Sequence, residues 1–503
     1  MTTTHHSTAE IAKLARVLDR RDSTDLDFLA DLPPEALRRF RDQITTTIAD
    51  RESRRMQRIG AAAKLIPAPI AAKITEAAFG PVLAAAIAGS VDPARAVAIA
   101  GALSPTFLAD ATVTLDPRRA TALIAEVPDR MAAATARELI ARGDYLTMGR
   151  LAGAVPDQVL RAALPHAADI DLLHVGYYLE NTDAADRLLT IVTDRIPGMI
   201  RATAAENQWP EAIALLDLLG PTERSHLGNV VADQAPEILD ALLTAVTELD
   251  AWDTLLPVAA GMESTALQRL VERPLMQDPA VLTGVVDLAL THDLWLDLLP
   301  LAQHLSPAQL HTVAARISAE PDDALTALIE QAHTGDHWDI LIPVALAFDE
   351  PDRRRFAALP VMHRPDTLSA AVTTAAAHNL WSAALPLVDA LPPHTHDHLA
   401  TTIATLTTPD FHAALTATPA AGATNTLIRI VLRQAPAART RSLTLLADFD
   451  DLESLVTSFT TTDPEMWKSV AAINSDLPPR LRTLLAPQAA RCGHSDIANA
   501  LST

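Results

Sequence analysis

The sequence predicts an all-α fold, in the form of a right-handed α-solenoid (superhelix) of three-helix repeats about 43 residues long. The first observation is length, because 503 residues exceed the roughly 250–300 at which one compact core stops growing. The second is composition: 49% of the residues are hydrophobic but only 4% are aromatic, which favours closely packed helices over sheets. The third is an internal repeat, the mark of stacked helical units.

The tryptophans define the repeat. Four successive intervals between them are 43 residues and the last is 86, twice that value; the positions are Trp209, Trp252, Trp295, Trp338, Trp381 and Trp467. The position 43 residues after Trp381 is Thr424, so this unit has lost its tryptophan. We expect the unit around Trp467 to be a degenerate C-terminal cap.

Two apolar columns precede the tryptophans, four residues apart and therefore on one face of a helix. They consist of Ile200, Leu243, Val286, Ile329 and Val372, and of Ile196, Leu239, Leu282, Leu325 and Leu368. Phe411 and Leu415 continue them in the unit of Thr424. A third column lies two residues before each tryptophan: Asn207, Asp250, Asp293, Asp336 and Asn379. Since these side chains can accept from the free amides of a helix start, we predict that they are N-caps.

Prolines complete the unit. Pro257, Pro300, Pro343 and Pro386 each follow a tryptophan by five residues, inside the predicted helix, where a proline is expected to bend the axis. A third helix is predicted after Leu305, Leu391 and Leu477, because a Ser or Pro cap there precedes a proline suited to a first helical turn.

Upstream of these repeats, the predicted helix starts are only 12 residues apart. Asp92-Pro93, Ser104-Pro105 and Asp116-Pro117 each place a capping residue before a proline, which predicts very short helices. Tyr145 then takes the tryptophan position of a looser unit. We predict three segments: a locally basic, amphipathic helical segment (1–58), a short-helix repeat region (59–193) and the tandem 43-residue repeats (194–503).

By its period and three-helix unit, the region from about 194 to 490 resembles armadillo and HEAT repeat proteins. The short helices over 92–128 resemble, less closely, the superhelical N-terminal domain of MgtE-type magnesium transporters. Both resemblances imply architecture alone. No motif of either family carries a function to this chain, and no magnesium role is implied.

Charge and composition exclude several classes. A formal net charge of -22 argues against a nucleic-acid partner, which requires a basic footprint. Cys492 is the only cysteine, and the N-terminus lacks the apolar stretch of a signal peptide, so we expect a cytoplasmic protein.

The least polar run, Ala77 to Val91, is shorter than the roughly 20 residues of a membrane span and contains Gly80-Pro81. We interpret it as a buried helix and turn, and expect no transmembrane segment.

Sequence motifs for catalysis are missing: there is no G-x-S-x-G, phosphate-binding loop, G-x-G-x-x-G or H-E-x-x-H. We therefore expect no catalytic residues and no cofactor, which favours a non-enzyme. In "HTHDH", His394 and His398 are four apart and are weak candidates for a shared metal. The repeat alignment favours another interpretation, in which these histidines lie at an exposed helix start, where polar residues carry no cost.

The first segment is locally basic in an otherwise acidic chain. Its candidate partner-docking residues are Arg38, Arg39, Arg41, Arg51, Arg54, Arg55 and Arg58. The alternative is an amphipathic helix whose Leu37, Phe40, Ile44 and Ile48 pack on the repeats. As a docking element, it would suit an acidic partner, an anionic membrane surface or another copy of the chain.

The function expected from this architecture is a protein-binding scaffold or adaptor that holds another protein. One alternative is a small-molecule enzyme or carrier with a pocket inside the superhelix. Another is a regulatory module that docks on a membrane complex through the basic segment. The sequence leaves open the oligomeric state and peripheral contact with a membrane.

Overall fold

The computed structural model describes residues 2–20, 22–47, 66–89 and 91–502. Throughout these ranges the chain forms helices joined by turns, without a β-strand, which confirms the all-α prediction. The chain divides into two compact units, Met1–Leu275 and Met276–Thr503. Each is considered by itself.

The first unit begins with helices α1 to α10. Helix α2 is described over residues 34–47. The others are α1 (Thr2–Val17), α3 (Ala68–Ile74), α4 (Gly80–Ala88), α5 (Pro93–Ala100), α6 (Pro105–Thr114), α7 (Thr121–Ala125), α8 (Asp129–Ala141), α9 (Tyr145–Ala152) and α10 (Asp157–Ala163).

Side-chain capping is confirmed at two of the three helix starts predicted over residues 92–128. Asp92 accepts from the amide of Arg95, and Ser104 accepts from that of Phe107, as predicted. The prediction at Asp116 is wrong, because this carboxylate accepts from the amide of Arg118 in a turn and α7 begins only at Thr121.

Residues Ala68–Ala88 form a 21-residue helical run that is long and apolar enough to cross a membrane, counting length and composition alone; among the described residues it is the one such run. Thr75–Phe79 is a π-helical turn between α3 and α4, and Gly80 has a φ of 70°, so the run consists of two segments. Only 22% of its most apolar window is buried. The predicted buried helix over this stretch is therefore wrong, since its apolar side chains exceed what the short neighbouring helices cover.

The first unit continues with α11 (Asp169–Tyr177), α12 (Thr182–Ile191), α13 (Ile196–Glu206), α14 (Trp209–Leu218), α15 (Pro221–Ala232), α16 (Pro236–Glu248), α17 (Trp252–Ala260) and α18 (Ser264–Val271). The second unit contains α19 (Pro279–Thr291), α20 (Trp295–Ala302), α21 (Pro307–Ser318), α22 (Asp322–Thr334), α23 (Trp338–Leu346), α24 (Glu350–Ala358), α25 (Pro365–Ala377), α26 (Trp381–Ala390), α27 (His396–Ile403), α28 (Thr408–Ala417), α29 (Thr424–Leu432), α30 (Pro436–Ala447), α31 (Leu452–Thr457), α32 (Pro464–Ala472), α33 (Pro479–Arg491) and α34 (Ser495–Ser502).

The helices from α13 to α30 follow the predicted three-helix period. Each tryptophan from Trp209 to Trp381 is the first residue of the middle helix of its triplet and is buried. Thr424 begins α29 in the same way, and Tyr145 begins α9. The two apolar columns are buried throughout, including Phe411 and Leu415. The repeating apolar residues are thus core residues.

The prolines after the tryptophans also lie where predicted, inside the middle helices α17, α20, α23 and α26. Trp467 differs from the other tryptophans, because it is the fourth residue of α32 and packs on Phe459 with ring centroids 4.8 Å apart. Its spacing of 86 residues from Trp381 therefore does not reproduce the same helix position.

The N-cap assignment of the Asn/Asp column is wrong. All five residues have left-handed backbones, with φ between 50° and 58°, and follow the end of the preceding helix. The next residue's amide bonds back across the turn; Ala251 N, for example, donates to the carbonyl oxygen of Val246 at 2.9 Å. This is the C-terminal Schellman arrangement, which short Asn and Asp side chains tolerate better than most.

Gly422 is a sixth member of this column that sequence reasoning missed. It lies 43 residues after Asn379 and has a φ of 67°. Glycine adopts this backbone without steric cost, so the unit that lost its tryptophan keeps its turn.

Candidate functional site

A cleft of about 360 Å³ lies among helices α3 to α10 of the first unit. It is lined by 34 residues between Ile66 and Ala163, and none of them is charged. Its volume lies within the roughly 300–1,000 Å³ typical of ligand sites. We call it the apolar cleft.

The sequence explains why space remains there. Eleven of the lining residues are alanines, including Ala96 and Ala100 on α5 and Ala132 and Ala136 on α8. Helices this short contribute only one or two turns each to the wall. Small side chains on short helices leave a gap that leucine or phenylalanine would fill.

Polar groups in the lining are confined to three threonines. Each hydroxyl donates to a carbonyl of its own helical run: Thr75 to Ala71 at 2.8 Å, Thr112 to Leu108 at 2.7 Å and Thr135 to Met131 at 3.0 Å. Because these donors are already used, the wall offers a bound molecule almost only hydrocarbon contacts.

Ile74 and Phe79 connect the cleft to the surface, since both line it and both remain more than a third exposed. Ile70 lies one turn before Ile74, and Val82 lies three residues after Phe79. Neither lines the cleft, and Val82 is 65% exposed. Apolar surface therefore extends from the cleft onto the outside of α3 and α4.

A buried ionic cluster joins α1 and α2 to the turn after α11. Glu10 accepts from Lys13 at 2.9 Å and from Arg41 at 2.9 Å, and Arg41 also lies 2.8 Å from Glu180. Burial alone would raise the pKa of Glu10, but the charges of Lys13, Arg41 and Arg38 outweigh it and lower that pKa. The cluster is therefore an internal ion-pair network.

This network contains two of the predicted docking arginines. Arg41 is buried, and Arg38 lies 3.3 Å from Glu10. Arg39 is exposed. Arg51, Arg54, Arg55 and Arg58 lie outside the described residues. In α2, Leu37 is buried as expected, whereas Phe40 is 48% exposed because it faces away from the core; Ile48 lies outside the described residues.

A second polar cluster surrounds Tyr145. Its hydroxyl donates to Asp171 Oδ1 at 2.6 Å, and its ring stacks on His174 with centroids 4.9 Å apart. His174 Nδ1 lies 2.6 Å from Glu211. The hydrogen bond to Asp171 raises the pKa of Tyr145 to about 12, because it stabilises the protonated phenol. None of these four side chains lines the apolar cleft.

The histidines of "HTHDH" are divided between surface and interior. His394 and His398 are exposed, and the ring of His394 meets that of His363 at 4.8 Å. His396 is buried, and burial lowers its pKa, which keeps the ring neutral. Across the described ranges, no three His, Cys, Asp or Glu side chains are grouped to hold a metal ion.

Sequence reasoning missed both the cleft and the ionic cluster. The alanine-rich helices between residues 68 and 163 were a signal for the cleft, but alanine is equally common where helices pack closely. Lys13 and Glu10, three residues apart on α1, resemble any solvated helix pair. No protein-family model matches the sequence, and no curated protein matches it either.

Proposed function

We propose that the protein is a cytoplasmic, non-enzymatic binding protein built on an α-solenoid of helical repeats, with the apolar cleft as its ligand site. One observation carries the proposal: 34 lining residues enclose about 360 Å³ without a charged group. A site of this chemistry selects molecules by apolar area and shape.

Binding is favoured over catalysis because no carboxyl, imidazole, amine or thiol group lines the cleft, and its three hydroxyls donate to their own backbone. A small-molecule enzyme would need such groups within hydrogen-bond reach of its substrate. The titratable clusters around Glu10 and Tyr145 are occupied by their own internal bonds.

The order of helix contacts in the second unit supports stacked repeats. The middle helices contact one another in sequence, α20 with α23 and α23 with α26, and α26 then contacts α28. Such nearest-neighbour packing is what a solenoid requires.

The cleft is tested with N-phenylnaphthylamine, an uncharged probe that fluoresces in apolar sites, and with a matched pair of variants on α5. Ala100 lines the cleft, whereas Ala98 is exposed and does not. We expect saturable binding at one site in the wild type and in Ala98→Phe, and its loss in Ala100→Phe, whose ring fills the cleft.

Circular dichroism establishes that both variants keep their helix content. A wild type that binds the probe without saturation would overturn the proposal. So would an Ala100→Phe variant that is folded and binds as well as the wild type.

A second candidate function is a scaffold for another protein, favoured by the charge distribution. Residues 164–503 contain 43 acidic and 19 basic residues, whereas residues 1–163 contain 19 acidic and 21 basic ones. The repeats therefore offer an acidic surface suited to a basic partner.

That candidate is tested by incubating the full chain with native lysate at low salt. A stoichiometric basic protein that is released by added salt supports the scaffold, because screening weakens a charge-driven interface. Recovery of no stoichiometric protein would count against it.

A further inference from the structure

Large apolar side chains are exposed in only one part of the described chain. All eight that are exposed precede residue 83: Leu18, Phe28, Leu32, Phe40, Ile70, Ile74, Phe79 and Val82. Four of them, Ile70, Ile74, Phe79 and Val82, lie on the one helical run Ala68–Ala88, and we call these four the N-terminal apolar surface. Scattered exposed apolar residues are ordinary, but several on one short run mark an interaction surface.

We propose that this surface docks on a lipid bilayer and that the apolar cleft then receives a hydrocarbon chain of one phospholipid. The proposal deepens the binding function above and rests on it. Ile74 and Phe79 belong to both the surface and the cleft wall, so an acyl chain has a continuous apolar path between them.

The chemistry of the cleft favours a hydrocarbon chain. Its three hydroxyl groups are bonded to their own backbone, so it has little to hold a polar ligand or an extended peptide.

The charge distribution allows the N-terminal part of the chain to approach a bilayer. Residues 1–163, which carry the surface and the cleft, have a net charge of +2, whereas the remaining 340 residues have -24. An anionic membrane therefore repels the repeats while tolerating the N-terminal part.

Peripheral docking fits the geometry of Ala68–Ala88 better than a membrane span does. Gly80, with its φ of 70°, divides the run, and Lys73 and Glu76 lie within it. One side of the run forms the cleft wall with residues of α5 to α10. A membrane-spanning helix would lose its contacts with the cleft wall, whereas a helix lying at the membrane interface keeps them.

The test is flotation of the full chain with phosphatidylcholine vesicles, with and without phosphatidylglycerol. We expect flotation with both, and no weaker with the anionic lipid. Ile70→Asp and Val82→Asp should each lower partitioning about tenfold or more, the factor that burial of one such side chain contributes. Thr244→Asp, which adds the same charge at an exposed position of α16, should float as the wild type does.

A phospholipid with a photoactivatable acyl chain tests the cleft directly. Crosslinked peptides should come from residues 66–163, and Ala100→Phe should reduce them while Ala98→Phe should not. Because Ile70 and Val82 do not line the cleft, their variants should still bind N-phenylnaphthylamine in solution. A wild type that floats with vesicles but does not bind N-phenylnaphthylamine would therefore disprove the ligand site without disproving the docking.

Three results would overturn the docking proposal. The first is a wild type that does not float with either vesicle. The second is retention in the membrane after alkaline carbonate extraction, which would indicate a span. The third is a dimer in solution that Ile70→Asp and Val82→Asp convert to monomers, which would make the surface an interface between copies of the chain.

Discussion

Nζ of Lys13 lies 2.9 Å from Oε1 of Glu10, and the side chains of both residues are at most 2% exposed. Such a pair is stable only when every charge has a partner. Here Arg41 supplies the second cation for Glu10, and Glu180 supplies the anion that balances it. The first two helices are thereby joined to the rest of their unit by an ion-pair network that is buried at Glu10, Lys13 and Arg41 and reaches the surface at Glu180, which is 28% exposed.

Removing the central anion should be costly. Glu10→Gln leaves Lys13 and Arg41 buried without their main counter-charge, so we expect a loss of about 3–5 kcal/mol in the free energy of unfolding. Arg39→Gln, a change at an exposed neighbour, should stay within about 0.5 kcal/mol. Urea unfolding followed by circular dichroism measures both, and equal losses would mean that the network does not stabilise the unit.

A titration to alkaline pH should show that the tyrosines ionise later in the folded protein than in the unfolded chain. All three, Tyr145, Tyr177 and Tyr178, have pKa values raised above 10, the first by its bond to Asp171 and the others by burial. Since each folded pKa exceeds the unfolded one, the stability that they contribute is complete below pH 10 and is lost as the pH rises further.

The measurement is tyrosinate absorbance during a titration towards high pH. Native protein should show little tyrosinate at pH 10, where the denatured chain is half ionised. Half-ionisation of the native protein at that pH would contradict the buried, bonded environments.

The Asn/Asp column allows a test of its corrected role. At a left-handed position glycine is favoured and serine is not, so Asp250→Gly should keep or raise the stability while Asp250→Ser loses about 1 kcal/mol. An N-cap would give the opposite order, because serine caps as well as aspartate does. Thermal unfolding of the two variants decides between the roles.

Two glycines should respond to alanine with opposite signs. A Cβ on Gly149 would lie 2.7 Å from the carbonyl carbon of Tyr178, so Gly149→Ala should cost about 1–3 kcal/mol through overpacking. A Cβ on Gly284, inside α19, meets nothing within 4 Å. Gly284→Ala should therefore stabilise by about 0.5–1 kcal/mol. Equal melting temperatures would exclude the close approach of α9 to Tyr178.

The tryptophan column is expected to dominate the stability of each repeat. Trp295 is 5% exposed and donates its indole N–H to Gln331, so Trp295→Ala should lose about 3–5 kcal/mol. His292→Ala, in the exposed turn just before it, should change stability by less than about 0.5 kcal/mol. A loss at Trp295 as small as the control's would mean that the indole does not hold neighbouring helices together.

The sequence by itself determined the helical class, the three-helix period and the buried columns, because each depends on local propensity and on apolar residues recurring along one helix face. It also located the helix boundary before each of the first five tryptophans. It did not determine whether the Asn/Asp residue ends the preceding helix or begins the next one, since Asn and Asp occur at both ends of helices. Gly422, in the same column, was the overlooked signal for a left-handed turn.

Only the tertiary structure decided the apolar cleft, the exposure of Ala68–Ala88 and the partners of Arg38 and Arg41. The cleft is the space that eight short helices fail to fill, and Glu10 meets Arg41 from 31 residues away. Such features depend on which faces of separate helices meet and how closely. That is fixed by the packing of the whole unit, which no local pattern encodes.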